Sequence, residues 1–167
     1  NNDASTLKAL TDANSNNVYT ATITDNSVSV ADINTINAIV DGILTVNSTT
    51  VTGSYNELNT LYTSQAGTTG LGDEAIIVSG TLTVAEANAL DALTTGVITA
   101  SISEGDAGTL ISLTDDNANN VLTINLTDTE AEAANINTIN SKTAGTFTVS
   151  STTITGTVSD INTVYSS

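Results

Sequence analysis

LKALTDANSNNVYTATITDN, residues 7–26, returns as LISLTDDNANNVLTINLTDT, residues 110–129, an offset of 103 from Leu7 to Leu110. The same offset carries Ile33 to Ile136 (DINTIN and NINTIN), Gly53 to Gly156 and Tyr62 to Tyr165. About half of the 58 aligned positions are identical, and no gap is needed. Independent runs of Thr and Asn would not hold Leu, Ile, Gly and Tyr in register over that length, so the chain carries a tandem duplication. Residues 7–109 form one copy and 110–167 part of a second, within one continuous segment, 1–167.

A shorter period lies inside the long one. Apolar pairs three apart recur at Leu7/Leu10, Ile33/Ile36, Leu58/Leu61, Leu90/Leu93, Leu110/Leu113, Ile136/Ile139 and Ile161/Val164, with steps of 20 to 32 residues. Each period reads as a short helix followed by an extended stretch. In VLTINLT, Leu122, Ile124 and Leu126 are expected to face inward and Thr123 and Asn125 outward; Ile98, Ala100 and Ile102 repeat the alternation. This arithmetic predicts an α/β repeat solenoid with leucine-rich-repeat-like coils, a parallel sheet on one side and short helices on the other. The first residues lie over 104–107 in phase, and a chain that starts and stops in mid-pattern is expected to be a piece of a longer array with neighbours.

Helix starts carry a hydroxyl-x-x-acid spacing at Ser29/Asp32, Ser54/Glu57, Thr83/Glu86, Ser103/Asp106, Thr129/Glu132 and Thr157/Asp160. A hydroxyl there accepts from the third amide, and the acid favours the positive helix end. Capping therefore accounts for much of the acidity. Gly42, Gly96 and Gly145 follow helical stretches, where a left-handed terminal residue is expected.

Composition narrows the chemistry. There is no His, Cys, Pro, Met or Trp, and 18 Asp plus Glu against 2 Lys plus Arg give a net charge of −16. A proton shuttle near neutrality, a thiol nucleophile and a soft metal site are excluded, leaving only hard, oxygen-seeking cations. So acidic a chain cannot neutralise phosphates, which excludes nucleic acid and anionic membranes as partners. No apolar run is long enough for membrane insertion. With aromatics at 3 % the core is expected to be thin and built of small branched side chains.

A few groups of residues are candidate sites. Asp12, Asn14 and Asn16, then Asp115, Asn117 and Asn119, each give DxNxN, whose alternating oxygens can converge on one Ca²⁺. The same residues also make Asx-turns between helix and strand, and each loop lacks the distal bidentate Glu of a full calcium loop. Thr20, Thr22, Thr45, Thr99, Thr123 and Thr148 are expected to share a sheet face that could bind ice or sugar, or simply be solvated. Tyr62 and Tyr165, in the last turns of equivalent helices, are expected to seal the core, and Lys8 and Lys142 to be solvated. Asp73 and Glu74, the acids outside the caps and turns, read as residues of a Gly-rich bend.

With these patterns in hand, TGLGDEAIIVSGTLTVAEANALDALTTGVITASI (residues 69–102), ITGTVSDINTVYSS (154–167) and TVTGSYNELNTLYTS (50–64) resemble the very large tandem-repeat surface proteins of marine cyanobacteria. The resemblance covers essentially the whole chain. It implies a cell-surface setting linked to motility, adhesion and defence against grazers, and assigns no catalytic residue or cofactor. The expected function is a non-enzymatic structural module of a secreted or cell-surface protein. It would form an extended filament, layer or adhesin stalk, with adjacent repeats or identical subunits as partners. The alternative is a surface-binding module for ice, carbohydrate or a host surface, with a Thr-rich face and Ca²⁺-stabilised loops.

Overall fold

Polar breaks at residues 24–26, 47–49, 127–129 and 150–152 interrupt the extended stretches and turn the chain. Successive breaks are joined in the same way in both copies: the amides of Thr49 and Thr50 donate to Asn26 O at 3.0 Å, and those of Thr152 and Thr153 donate to Thr129 O at 3.0 and 3.1 Å. A computed structural model describes residues 1–11, 18–64, 67–115 and 119–166. These fall into two compact units, Asn1–Ser79 with Leu93–Gly96, and Gly80–Ala92 with Val97–Ser167.

In the first unit β1 (Ala21–Ile23), β3 (Leu44–Val46) and β5 (Thr68–Thr69) pair in parallel in the order β1-β3-β5. A second parallel set is β2 (Ser27–Ser29), β4 (Thr50–Gly53) and the start of β6 (Ala75–Leu82), in the order β2-β4-β6. Register lines up Val28, Val51 and Ile76, all buried, across that set. Helices α1 (Ala4–Leu7), α2 (Val30–Asn37) and α3 (Tyr55–Ser64) pack successively, α1 on α2 and α2 on α3. Their i, i+3 apolar positions, Ile33, Ile36 and Leu58, are fully buried. Each such side chain contributes about 1.5 to 3 kcal/mol through loss of apolar surface to water.

The second unit repeats the scheme. Here β7 (Ile98–Ile102), β8 (Val121–Leu126) and β10 (Phe147–Val149) pair in parallel in the order β7-β8-β10. Separately, β9 (Glu130–Glu132) pairs with β11 (Thr153–Thr155), again in parallel. Among the helices, α4 (Val84–Asp91) lies against β7, α5 (Ala107–Leu110) against α6 (Ala133–Asn140), and α6 against α7 (Val158–Ser166). The alternation read from the sequence holds: Leu122, Ile124, Leu126, Ile98, Ala100 and Ile102 are buried, while Thr123 and Asn125 are exposed.

The architecture corrects the expected solenoid. The fold is a mixed α/β arrangement in which the described strands fall into three parallel sheets, of six, three and two strands, with helices, instead of a single sheet lining one side of leucine-rich-repeat-like coils. The physical reason is the polar breaks. Taken as one strand, each extended stretch would place all strands in one sheet, whereas the polar break at Asn26 or Thr129 ends one strand and starts the next in a different sheet.

Glycine serves a different purpose from the one expected. Gly42, Gly96 and Gly145 are absent from the glycines with positive φ. They are small because a neighbouring backbone passes too close for a side chain: a Cβ would come 2.5 Å from Tyr19 O at Gly42, 2.0 Å from Glu74 O at Gly96 and 2.4 Å from Leu122 O at Gly145. Capping follows the expected spacing at Ser29, whose hydroxyl accepts from Asp32 N, and at Thr83, which forms a reciprocal box with Glu86. Thr157 likewise accepts from Asp160 N, and at Ser54 the Glu57 carboxylate accepts from the Ser54 amide. Two pairs are displaced: Asp106 is itself the cap of α5, accepting from Thr109 N, and α6 begins after Glu132, which makes no side-chain cap bond.

Candidate functional site

Of the DxNxN residues, Asp12, Asn14, Asn16 and Asn117 lie outside the described residues. Asp115 is half-buried and accepts from the amides of Asn119 (3.3 Å) and Asn120 (3.1 Å), the bonds of a turn-forming acid. Asn120, one residue further, is buried; its side-chain amide donates to Asp91 Oδ1 at 2.7 Å, and its carbonyl oxygen accepts from Ile98 N at 2.8 Å. Asp115 thus sits at the mouth of a polar network that ties α4, β7 and the approach to β8 together. Among the described residues no group of three or more acids is placed to hold a metal ion.

The threonine row is shorter than expected. Thr22, Thr45 and Thr69 align across β1-β3-β5, with the Thr45 and Thr69 hydroxyls 3.3 Å apart. In the second unit, register puts Thr99 opposite Val121, Thr123 opposite Ser101 and Thr148 opposite Asn125, so these threonines form no common file. Strand pairing, which composition does not encode, decides this. Lys8 also departs from its reading: it forms an ion pair with Asp32, whose carboxyl is lowered by that hydrogen bond first. Both side chains are partly exposed, so the pair adds at most about 1 kcal/mol.

The acids at the Gly-rich bend take a role that the sequence did not reveal. Glu74 is only 4 % exposed. Its Oε1 accepts from the Tyr62 hydroxyl at 2.6 Å, and its Oε2 from the amides of Gly72 (2.6 Å) and Asp73 (2.8 Å). Burial, reinforced by the hydrogen bond to Glu74 and its charge, pushes the Tyr62 phenol far above its ordinary value. A cavity of about 450 Å³ beside this bend is lined by Asn47, Ser48, Thr49, Gly70, Asp73 and Glu74. With both Glu74 oxygens engaged by internal donors, the carboxylate fastens α3 to the strand that follows it. The one available signal was positional: a Tyr at the end of a helix, and an acid beside a Gly-rich bend leading into a strand.

The duplication allows the same elements to be compared in two settings. Asp25 Oδ2 accepts from Ala4 N at 2.6 Å, and its counterpart Asp128 Oδ2 accepts from Ala107 N at 2.7 Å. Asp3 Oδ1 and Asp106 Oδ1 accept from Thr6 N and Thr109 N at 2.7 and 2.8 Å. The copies diverge at one face. In the first, α3, β3 and β4 bury Leu58, Leu61, Tyr62, Leu44, Val46 and Val51. In the second, α7 has no buried residue, Tyr165 is 77 % exposed, and Phe147, Val149 and Ile154 are only half-covered. Tyr165 therefore does not seal the core as Tyr62 does.

Comparison of the chain with protein-family models, with curated proteins and with solved structures finds no match. Among the described residues no helix is long and apolar enough to cross a membrane.

Proposed function

We propose that the chain is a non-enzymatic structural repeat module of a secreted or cell-surface protein, in keeping with the tandem-repeat surface proteins it resembles. It extends into a filament, layer or stalk as like helix-and-strand units add through parallel strand pairing. The observation that carries this reading is the recurrence of individual hydrogen bonds at an offset of 103 residues, Asp25 to Ala4 as Asp128 to Ala107. A sequence that preserves the contacts between successive periods, as well as the periods themselves, is organised for addition. The parallel edges supply the joining groups, and the net charge of −16 opposes lateral aggregation of such edges.

Chains carrying one, two and four copies of the 103-residue repeat test this. Scattering and electron microscopy should show length rising in proportion to copy number, with thermal stability rising alongside. Copies that melt independently and tumble as separate beads would refute it.

A further inference from the structure

The face formed by α7, β10 and β11 has a covered counterpart within the same chain, and the counterpart shows what covers it. In the first copy residues 67–78 lie along it. Leu44 N donates to Gly67 O at 2.8 Å, Thr68 and Thr69 pair with Leu44 and Thr45, and Ala75 N donates to Thr49 O at 3.0 Å. From Ala75 the segment continues as β6 along β4, from Thr50 to Gly53, and Glu74 receives the Tyr62 hydroxyl. In the second copy every receiving group recurs: Phe147 for Leu44, Thr152 for Thr49, Thr153–Thr155 for β4 and Tyr165 for Tyr62. Among the described residues β10 is paired on one side only, with β8, and β11 on one side only, with β9.

We propose that the α7, β10 and β11 face binds a further repeat unit through a strand-turn-strand segment of the chemistry of residues 67–82. The segment extends both sheet edges in parallel and places a buried carboxylate on the Tyr165 hydroxyl. This rests on the repeat-module reading and adds to it the partner and the contact. The carboxylate defines the specificity. A segment without it leaves the phenol hydroxyl in an apolar contact with nothing to receive its proton, which costs far more than an exposed hydroxyl does. In the first copy Gly70 and Gly72, with φ of +80° and +128°, shape the turn that delivers Glu74.

The test adds a synthetic peptide, GTTGLGDEAIIVSGTL, to the full chain, and in parallel fuses a second copy of residues 65–82 behind Ser167. Tyr165 nitration by tetranitromethane and hydrogen exchange at the Phe147 amide report occupancy. Both should be suppressed by the fusion and, in a saturable way, by the peptide. Changing the peptide acid (E74Q) or the receiving phenol (Y165F) should each weaken peptide binding about tenfold, and the two changes together should cost little more than either alone. The proposal is overturned if the fused chain leaves Tyr165 and Phe147 reacting at the rates of the unfused protein. It is equally overturned if the unfused chain self-associates and protects Tyr165 with no segment added, since the occupant is then a whole second copy. If multi-copy chains still lengthen in either event, the repeat-module reading survives its partner assignment.

Discussion

The Tyr62 hydroxyl donates to Glu74 Oε1 across 2.6 Å between two buried side chains twelve residues apart. The bond joins the last turn of α3 to the bend leading into β6, and two backbone amides complete the carboxylate's shell. Tyr62→Phe removes one donor from a buried carboxylate and is expected to cost about 1 to 3 kcal/mol in denaturant unfolding. Glu74→Gln should cost a similar amount, because its amide cannot satisfy Tyr62 and both backbone donors equally. An unchanged midpoint in both variants would remove the anchoring role.

The same pair makes the protein sensitive to alkali. Burial raises the Tyr62 phenol in the folded state above its unfolded value. Its contribution is therefore intact below about pH 10, the ordinary phenol value, and is lost as the pH climbs above it. Wild-type stability should fall through that range more steeply than that of Tyr62→Phe, measured by urea unfolding at fixed pH.

At the acid end the sign reverses. Asp3 is lowered chiefly by the Ser5 hydroxyl and Asp106 chiefly by the Thr109 amide. A lowered folded value stabilises above the unfolded carboxylate value and is lost as pH falls through the folded one. Asp3→Asn and Asp106→Asn should each melt below wild type at pH 7, with the gap closing below about pH 4. A gap independent of pH would show that charge is irrelevant at these caps.

The glycines separate two physical causes. Gly96→Ala places a methyl on the Glu74 carbonyl and Gly145→Ala on the Leu122 carbonyl, and each should cost about 2 to 4 kcal/mol. Gly108, inside α5, has only Asp106 Oδ1 at 3.5 Å from its Cβ position. Gly108→Ala should stabilise by roughly 0.5 to 1 kcal/mol, because it removes backbone freedom from the unfolded chain.

One cap has been lost between the copies. Ser29 caps α2, while at the equivalent place Glu132 makes no side-chain bond to α6. Glu132→Ser should raise stability by about 1 kcal/mol and Ser29→Ala should lower it by about as much, read from thermal melts.

From the residue order alone the duplication, the helix positions at Ile33 and Ile136, the alternation through Leu122, Ile124 and Leu126, and four of the hydroxyl-acid caps could be read. All are local: they depend on a period of 3.6 or 2, or on a side chain reaching an amide three residues away. The division into separate sheets, the shortened threonine file, the reason for Gly42, Gly96 and Gly145, the burial of Glu74 and the openness of Tyr165 belong to the tertiary structure. Each depends on which distant backbone lies alongside. Tyr62 and Tyr165 occupy the same place in one repeated pattern, and it is the bend carrying Glu74, brought against the last turn of α3, that makes Tyr62 a core residue.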